Sequence, residues 1–370
     1  TITARLKAAG AIILGKTNMT EFADYVSDVM PSEFSGAGGI VQNPHGIRYD
    51  RGQGSSVGSA AAVAASLAPF AIGTETQNSI QTPASYSSVV GYKPSTGFVS
   101  RAGIVPLVPS QDSPGPLTRT VADAALVGAS LAGADARDAW SLLFAQRPLP
   151  SPHAKTDIRG IRIGVPRRQM AARTDFAEVM PLFETALSKL SSVGATIIDP
   201  CDLPSAEQLQ EVRSSVFRTE FKAALDTLLE DCNAPCGMRS LADVIARNEG
   251  NHDAIPFGQP LLIAAEATGG LSEQSYRADR ARDIALSLDA GITAALAMHE
   301  ADVLIAPMGA AAKCTGKAGA PVLAIPAGIQ QDGTPFGITI FSNPGSDSTL
   351  IAIGAEIERS LQGRRLPSIG

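Results

Sequence analysis

Apolar and polar positions along this chain repeat with two periods, and the switches between them mark its elements. "TARLKAAGAIILG" (3–15) opens with helical spacing, stops at Gly10 and continues as an apolar run, Ala11–Leu14, of strand length. Glycine just past a helix supplies the left-handed residue that ends it. The same order returns in "ALSKLSSVGATIID" (186–199): a helix, Gly194, then a strand at Ala195–Ile198. Two helix–glycine–strand units predict α/β layering. Between them, residues 31–58 are rich in Gly, Ser and Asn and read as a long loop. "SAAAVAASL" (59–67) reads as a small-residue helix that lets another backbone approach, and 69–73 as a short buried strand. Thr120 with Asp123 three residues on reads as a helix cap, followed by a face of Val121, Ala124, Ala125 and Gly128 and a stop at Gly133.

Farther along, "RPLPSPHAK" (147–155) is Pro-rich and predicts an extended connector, followed by a strand at 161–166. Residues 176–300 are mostly helical by periodicity, with the loop "NHDAIPFGQP" (251–260) inserted. "DVLIAP" (302–307) and "APVLAIPAG" (320–328) read as buried strands. The pattern favours a single α/β domain over residues 1–370 with a helical excursion near 200–300; two domains split near 150 is the alternative.

Composition narrows the function. The 370 residues are 44% hydrophobic, enough for one large core or two domains. A net charge of −6 argues against nucleic acid as a main ligand, because phosphate binding needs a basic face. No apolar run reaches membrane-spanning length. Cys232 and Cys236 form C-x3-C, but no second Cys pair or nearby His completes a metal site, so the four cysteines read as free thiols in a reduced compartment, which favours the cytoplasm.

Four arrangements could carry chemistry. Gly54-Ser55-Ser56-Val57-Gly58 is a formal G-x-S-x-G, but no strand precedes it and no motif places a downstream His. Gly52, Gly54 and Gly58 lead into a helix with the wrong spacing for a dinucleotide loop. A Ser/His/Asp triad would have to use one of four His, and His45 in "NPHG" reads as a turn residue. The fourth is a pair of serine loops, "GQGSSVGSA" and "GTETQNSI", flanking one short helix and one short strand. A helix of about nine residues and a strand of about five that run back past each other return both loops to one sheet edge. Ser55 and Ser79 would then meet, and a serine nucleophile needs such a relay because its hydroxyl is nearly inert at neutral pH. Successive N–H groups from Thr76 to Ser79 could face an oxyanion. The plainer reading makes these turn residues that satisfy their own backbone.

The serine-loop pair resembles the amidase signature family. Its core motifs stand here as "QGSSVGSA" (53–60) and "GTETQNSI" (73–80), with further matches at "AAGAIILGKTNMTEFA" (8–23), "GYKPSTGFVSRAGIVPL" (91–107), "SQDSPGPLTRTVADAA" (110–125) and "APVLAIPAG". The resemblance implies an α/β fold, with a central mixed β-sheet covered by helices on both faces. It implies a Ser–Ser–Lys triad that hydrolyses a carboxamide through an acyl-enzyme. Ser79 matches the nucleophile, Ser55 the bridging serine after a cis peptide bond, and Ser56 a supporting hydroxyl. Backbone N–H groups of Thr76, Gln77, Asn78 and Ser79 match the oxyanion hole. No cofactor or metal is implied. The partner is a small-molecule or peptide amide, with neither nucleic acid nor membrane, and a homodimer is compatible.

The third triad member is missing. The family's lysine stands in a Lys-Asp dipeptide upstream of "GKTNM"; this chain contains no Lys-Asp, and Lys16 belongs to "GKTNM" itself. A helix already running at Thr1 leads us to expect a missing N-terminal segment and little or no amidase activity in the 370-residue chain. Gln77-Asn78 stands where the family has Gly-Gly, and Gln81 where many members have Arg. The region 200–300 is expected to wall the substrate pocket, with Arg213, Arg218, Arg247, Asn248 and Gln259 as candidate contacts. The wording of 241–260 and of "SQDSPGP" is closer to stand-alone peptide or carboxamide amidases. The alternatives are a glutaminase subunit of a tRNA-dependent amidotransferase and a non-catalytic binding protein on the same fold.

Overall fold

The computed structural model describes residues 1–49, 52–144, 147, 156–171, 174–232 and 237–368. The connector expected at 147–155 and the Cys236 end of the C-x3-C therefore lie outside the described residues, Arg147 excepted. The chain forms a small hairpin, β1 (Phe34–Ser35) and β2 (Gly39–Ile40), inside the long loop. It also forms one large sheet of β3 (Phe70–Glu75), β4 (Val90–Lys93), β5 (Ser113–Thr118), β6 (Arg162–Gly164), β7 (Thr196–Ile198), β8 (Val303–Pro307), β9 (Val322–Ile329) and β10 (Pro335–Phe341). Its order is β3-β5-β4-β9-β10-β8-β6-β7. Pairing is antiparallel from β3 to β8 and parallel across β8, β6 and β7, so the sheet is mixed, as expected.

Side-chain alternation along β9 shows how both faces are covered. Ala324 joins Ile80 and Ala84 in one apolar cluster with the helices at 57–64 and 81–86. Leu323 and Ile325 point the other way, against Gly354 of the C-terminal helix Asp347–Leu361. Neighbouring strand residues face opposite sides of a sheet, so one strand serves two cores. The helices needed below are α1 (Ile2–Ala8), α2 (Val57–Ala64), α3 (Gln81–Tyr86) and α4 (Val121–Leu131).

Local signals in the sequence mostly behave as their chemistry requires. Gly10 and Gly194 both have positive φ, and each follows a helix. Thr120 accepts the Asp123 N–H at 3.1 Å, and Val121, Ala124, Ala125 and Gly128 are all buried. His45 sits in a turn closed by Gly46 N–H to Asn43 O, 2.9 Å. Residues 180–300 are dominated by helices, including Val216–Cys232, Leu241–Glu249, Pro260–Glu266 and Gln274–Ile284. No helix among the described residues is long and apolar enough to cross a membrane.

One expectation fails. Ala11–Leu14 forms no strand: Ile12 is 84% and Leu14 74% exposed, and only Ala11 joins the apolar cluster that holds Phe70 and Ile72 of edge strand β3. An apolar run of strand length becomes a strand only with a ladder partner, and no described strand pairs with this one. Conversely, β5 reads "SPGPLT", and two prolines ordinarily argue against an interior strand. Its pairing explains why they are tolerated. β4 pairs β5 only at Thr118 and Leu117, so Pro114 and Pro116 lie along the half that is laddered to β3 alone.

Candidate active site

The two serine loops meet at one end of β3. α2 and β3 run back past each other, and Ser56 N–H donates to Ser79 O at 3.0 Å. The Gly54–Ser55 peptide is cis. Ser55 is fully buried, and its carbonyl accepts the Thr20 N–H at 3.1 Å. Its Oγ is sealed from solvent and has no hydrogen-bond partner among the described residues. That atom is unusual, since a buried hydroxyl normally finds a partner. Ser56 turns its Oγ to β3 instead, donating to Thr74 O at 3.1 Å and accepting Thr74 N–H at 3.2 Å. The nearness of Gly73 makes this fit possible: a Cβ there would stand 2.5 Å from Ser56 Oγ.

Ser79 is 5% exposed and lies at the mouth of a loop tethered residue by residue. Glu75 closes the loop from below. Its Oε2 accepts the N–H groups of Ile80 and Gln81 at 2.6 and 2.8 Å, and its Oε1 accepts Gln81 Nε2 at 2.7 Å. Burial raises the Glu75 carboxyl above its ordinary range, opposed by the charge of buried Lys93 and by these donors. Thr76 Oγ1 donates to Asp112 Oδ1 at 2.6 Å, and Asp112 Oδ2 also accepts the Leu107 and Val108 N–H groups. Gln77 Nε2 donates to Gln111 Oε1 at 3.1 Å, and Gln77 O accepts Gln81 Nε2 at 2.7 Å. Asn78 Nδ2 donates to Gly52 O, tying this loop to the one that carries Ser55. No acceptor among the described residues takes the N–H of Gln77, Asn78 or Ser79. Side chains thus hold the segment where a Gly-Gly pair would leave it to the backbone.

The described lysines are engaged elsewhere or exposed. Lys93, pulled down by burial to about 8, donates to Ala320 O at 2.6 Å. Lys317 pairs with Asp283, Lys222 with Glu266, and Lys313 and Lys189 donate to main-chain carbonyls. Lys7 and Lys16 are exposed. Of the contacts expected from the 200–300 region, Asn248 and Gln259 bond to each other at 2.9 Å, and Arg213, Arg218 and Arg247 are exposed. Sequence reasoning missed Glu220, Tyr276 and Arg280, which reach the loop ahead of Asp112. Glu220 Oε2 accepts Ser110 N–H at 2.8 Å and Oε1 accepts Tyr276 Oη at 3.0 Å. Nothing in their spacing marks them, since only tertiary packing brings two distant helices to residue 110. Cys201 and Cys314 are buried with thiols pushed up to about 11 and about 12 by burial.

The chain belongs to the Amidase family, whose sequence profile matches residues 1–317. It is similar in structure to the native peptide amidase from Stenotrophomonas maltophilia, with 37% identity and a TM-score of 0.88, over 99% of this chain and 77% of that one. A probable amidase of Arabidopsis thaliana is 31% identical over 98% of this chain and 70% of its own length. A glutamyl-tRNA(Gln) amidotransferase subunit of Moorella thermoacetica is 32% identical, covering 100% of this chain and 78% of its own length.

Proposed function

We propose that Ser79 is the nucleophile of a carboxamide hydrolase, with Ser55 as its proton relay and Ser56 as the hydroxyl that fixes both loops to β3. In the first half-reaction Ser79 Oγ bonds to the amide carbon, its proton passes to Ser55 Oγ, and Ser55 Oγ hands its own proton to a final base. The resulting oxyanion lies against the backbone N–H groups of Thr76 to Ser79. The C–N bond then breaks as the relay returns that proton to the leaving nitrogen, and ammonia or an amine departs. Water attacks the ester and restores Ser79. Oriented N–H donors at a developing oxyanion are worth about 3–4 kcal/mol each in comparable sites.

The observation that carries this reading is the orphaned Ser55 Oγ. A hydroxyl relay needs a final base, and no described lysine hydrogen-bonds to Ser55. The 370-residue chain alone therefore turns amides over slowly or not at all. Ammonia release from a peptide amide tests this, comparing the chain with a version extended by a Lys-Asp-bearing segment. Rapid turnover by the unextended chain would overturn the relay assignment.

Among substrate classes, a stand-alone peptide or carboxamide amidase is favoured by the likeness to the Stenotrophomonas enzyme. The amidotransferase relative supports a second reading, a glutaminase subunit. Glutamine-dependent ammonia release that requires a co-purifying partner protein would single that out.

A further inference from the structure

One buried serine holds both ends of the short segment that leads into Ser55. Ser32 is fully buried; its Oγ donates to Asp24 Oδ2 at 2.8 Å and accepts the Gly52 N–H at 2.7 Å. Its carbonyl accepts the Thr20 hydroxyl. Thr20, also fully buried, gives its N–H to Ser55 O at 3.1 Å, and its Oγ1 lies 3.4 Å from the same oxygen. Gly54 fits against this pair only because it lacks a side chain: a Cβ would stand 2.6 Å from Thr20 Oγ1 and 2.8 Å from Ser32 O. Asp24 reaches Ser32 from a turn in which three successive non-glycine residues, Phe22, Ala23 and Asp24, have φ of 43°, 55° and 72°. The left-handed region is costly for Phe and Ala, so such a run persists only where its surroundings over-determine it. Here Phe22 and Tyr25 pack edge-on against Phe221 of the helix Val216–Cys232, with ring centroids 5.9 and 5.2 Å away.

Ser55 Oγ makes no hydrogen bond of its own among the described residues, so the anchorage of its backbone decides where it points. That anchorage runs through Ser32. The Ser55 carbonyl is tied to Thr20, and Gly52, three residues earlier, is tied to Ser32 Oγ. Gly52 O in turn takes the Asn78 amide beside Ser79, so the same segment joins both serine loops. A proton relay works only within hydrogen-bond reach, and a misplacement of about 1 Å can cost about a hundredfold in rate. Left-handed backbone next to a reacting group is commonly there to place that group. In this turn it returns Asp24 to Ser32 within eight residues of chain.

We propose that Thr20, Asp24 and Ser32 form a strap that positions Ser55 for proton transfer, Thr20 acting on the Ser55 carbonyl and Asp24 acting through Ser32. It rests on Ser55 being the relay. The test follows fluorophosphonate adduct formation on Ser79 in the 370-residue chain by mass spectrometry, separating the limiting rate from the reagent concentration that gives half of it. Ser55→Ala and Ser32→Ala should each lower the limiting rate at least about tenfold and leave the half-saturating concentration unchanged. Asp24→Ala should do the same, whereas Asp24→Asn, whose amide oxygen still accepts Ser32 Oγ, should stay within about threefold of the parent. The deciding variant is the double one. Adding Ser32→Ala to Ser55→Ala should slow labelling by less than about twofold more, because the strap has nothing left to position. Where Ser32→Ala fails to fold by circular dichroism, Asp24→Ala, at a half-buried position, carries the same cycle. No loss of rate from Ser55→Ala overturns the relay and the strap with it. A loss from Ser55→Ala with none from the strap variants overturns the strap alone. So does an equal loss from the strap variant in both backgrounds, which is what a merely structural role produces.

Discussion

Glu75 is the residue on which the shape of the Ser79 loop most depends. It is 1% exposed and accepts three hydrogen bonds at 2.6, 2.7 and 2.8 Å, two from backbone N–H groups immediately after Ser79. Glu75→Ala strands both N–H groups in the interior at about 1–3 kcal/mol each and leaves a small cavity, for a total of about 3–5 kcal/mol. Glu75→Gln should behave differently. Its oxygen can still take the two backbone donors, and its new amide N–H can meet Gln81 Oε1, which is unpartnered in this structure. That requires the Gln81 amide to flip and give up its 2.7 Å bond to Gln77 O, so the expected cost is about 1–2 kcal/mol. Urea unfolding followed by circular dichroism and by the fluorescence of Trp140, the single tryptophan, would measure both variants. The sign of the pH effect follows from the raised carboxyl. A folded-state pKa above the ordinary 4.5 makes this group's contribution largest below that pH, and the contribution declines as pH rises through the raised value. Glu75→Gln should remove that decline. If Glu75→Ala unfolds within about 1 kcal/mol of the parent, or Glu75→Gln costs as much as Glu75→Ala, the clamp is wrongly assigned.

Gly316→Ala should push the helix Ala312–Ala318 off the Ser79 loop, because its Cβ would stand 2.5 Å from Thr76 O and 2.9 Å from Gln77 Cα; the expected loss is about 1–3 kcal/mol by denaturation. Lys93, with a folded pKa of about 8 against an ordinary 10.5, binds its proton less tightly folded than unfolded. Stability from this group should therefore rise between pH 8 and 10.5, and Lys93→Met should abolish that rise in a pH series of melting curves. Asp283→Ala should cost about 3–5 kcal/mol by leaving the Lys317 ammonium buried without its partner, whereas the double change Asp283→Leu with Lys317→Met should recover much of the loss.

Much of the site was legible because its parts are consecutive. Loop, α2, β3 and loop follow one another from Gln53 to Ile80, so local lengths alone bring Ser55 and Ser79 to one sheet end. The fold class followed from repeated helix–glycine–strand units, but the strand at Ala11–Leu14 did not form, because an apolar run cannot state whether a neighbour exists to pair with it. β5 was not among the expected strands: Pro114 and Pro116 ordinarily argue against one, and only the one-sided ladder makes them harmless. Glu220, Tyr276 and Arg280 were illegible because two helices more than forty residues apart converge on Ser110, and no local pattern encodes that meeting. Asn248 and Gln259 looked free to meet a substrate but satisfy each other.

Covalent labelling with peptide mapping tests the central assignment most directly. The 370-residue chain and a version extended by a Lys-Asp-bearing segment would each be treated with a fluorophosphonate over pH 7 to 10 and digested for mass spectrometry. We expect one adduct, on Ser79, absent from Ser79→Ala in both forms. In the shorter chain it should form more slowly than in the extended one and speed up with pH as hydroxide takes over the deprotonation. An adduct on Ser55, Ser56 or any other residue, or equal labelling of Ser79→Ala, would contradict the account.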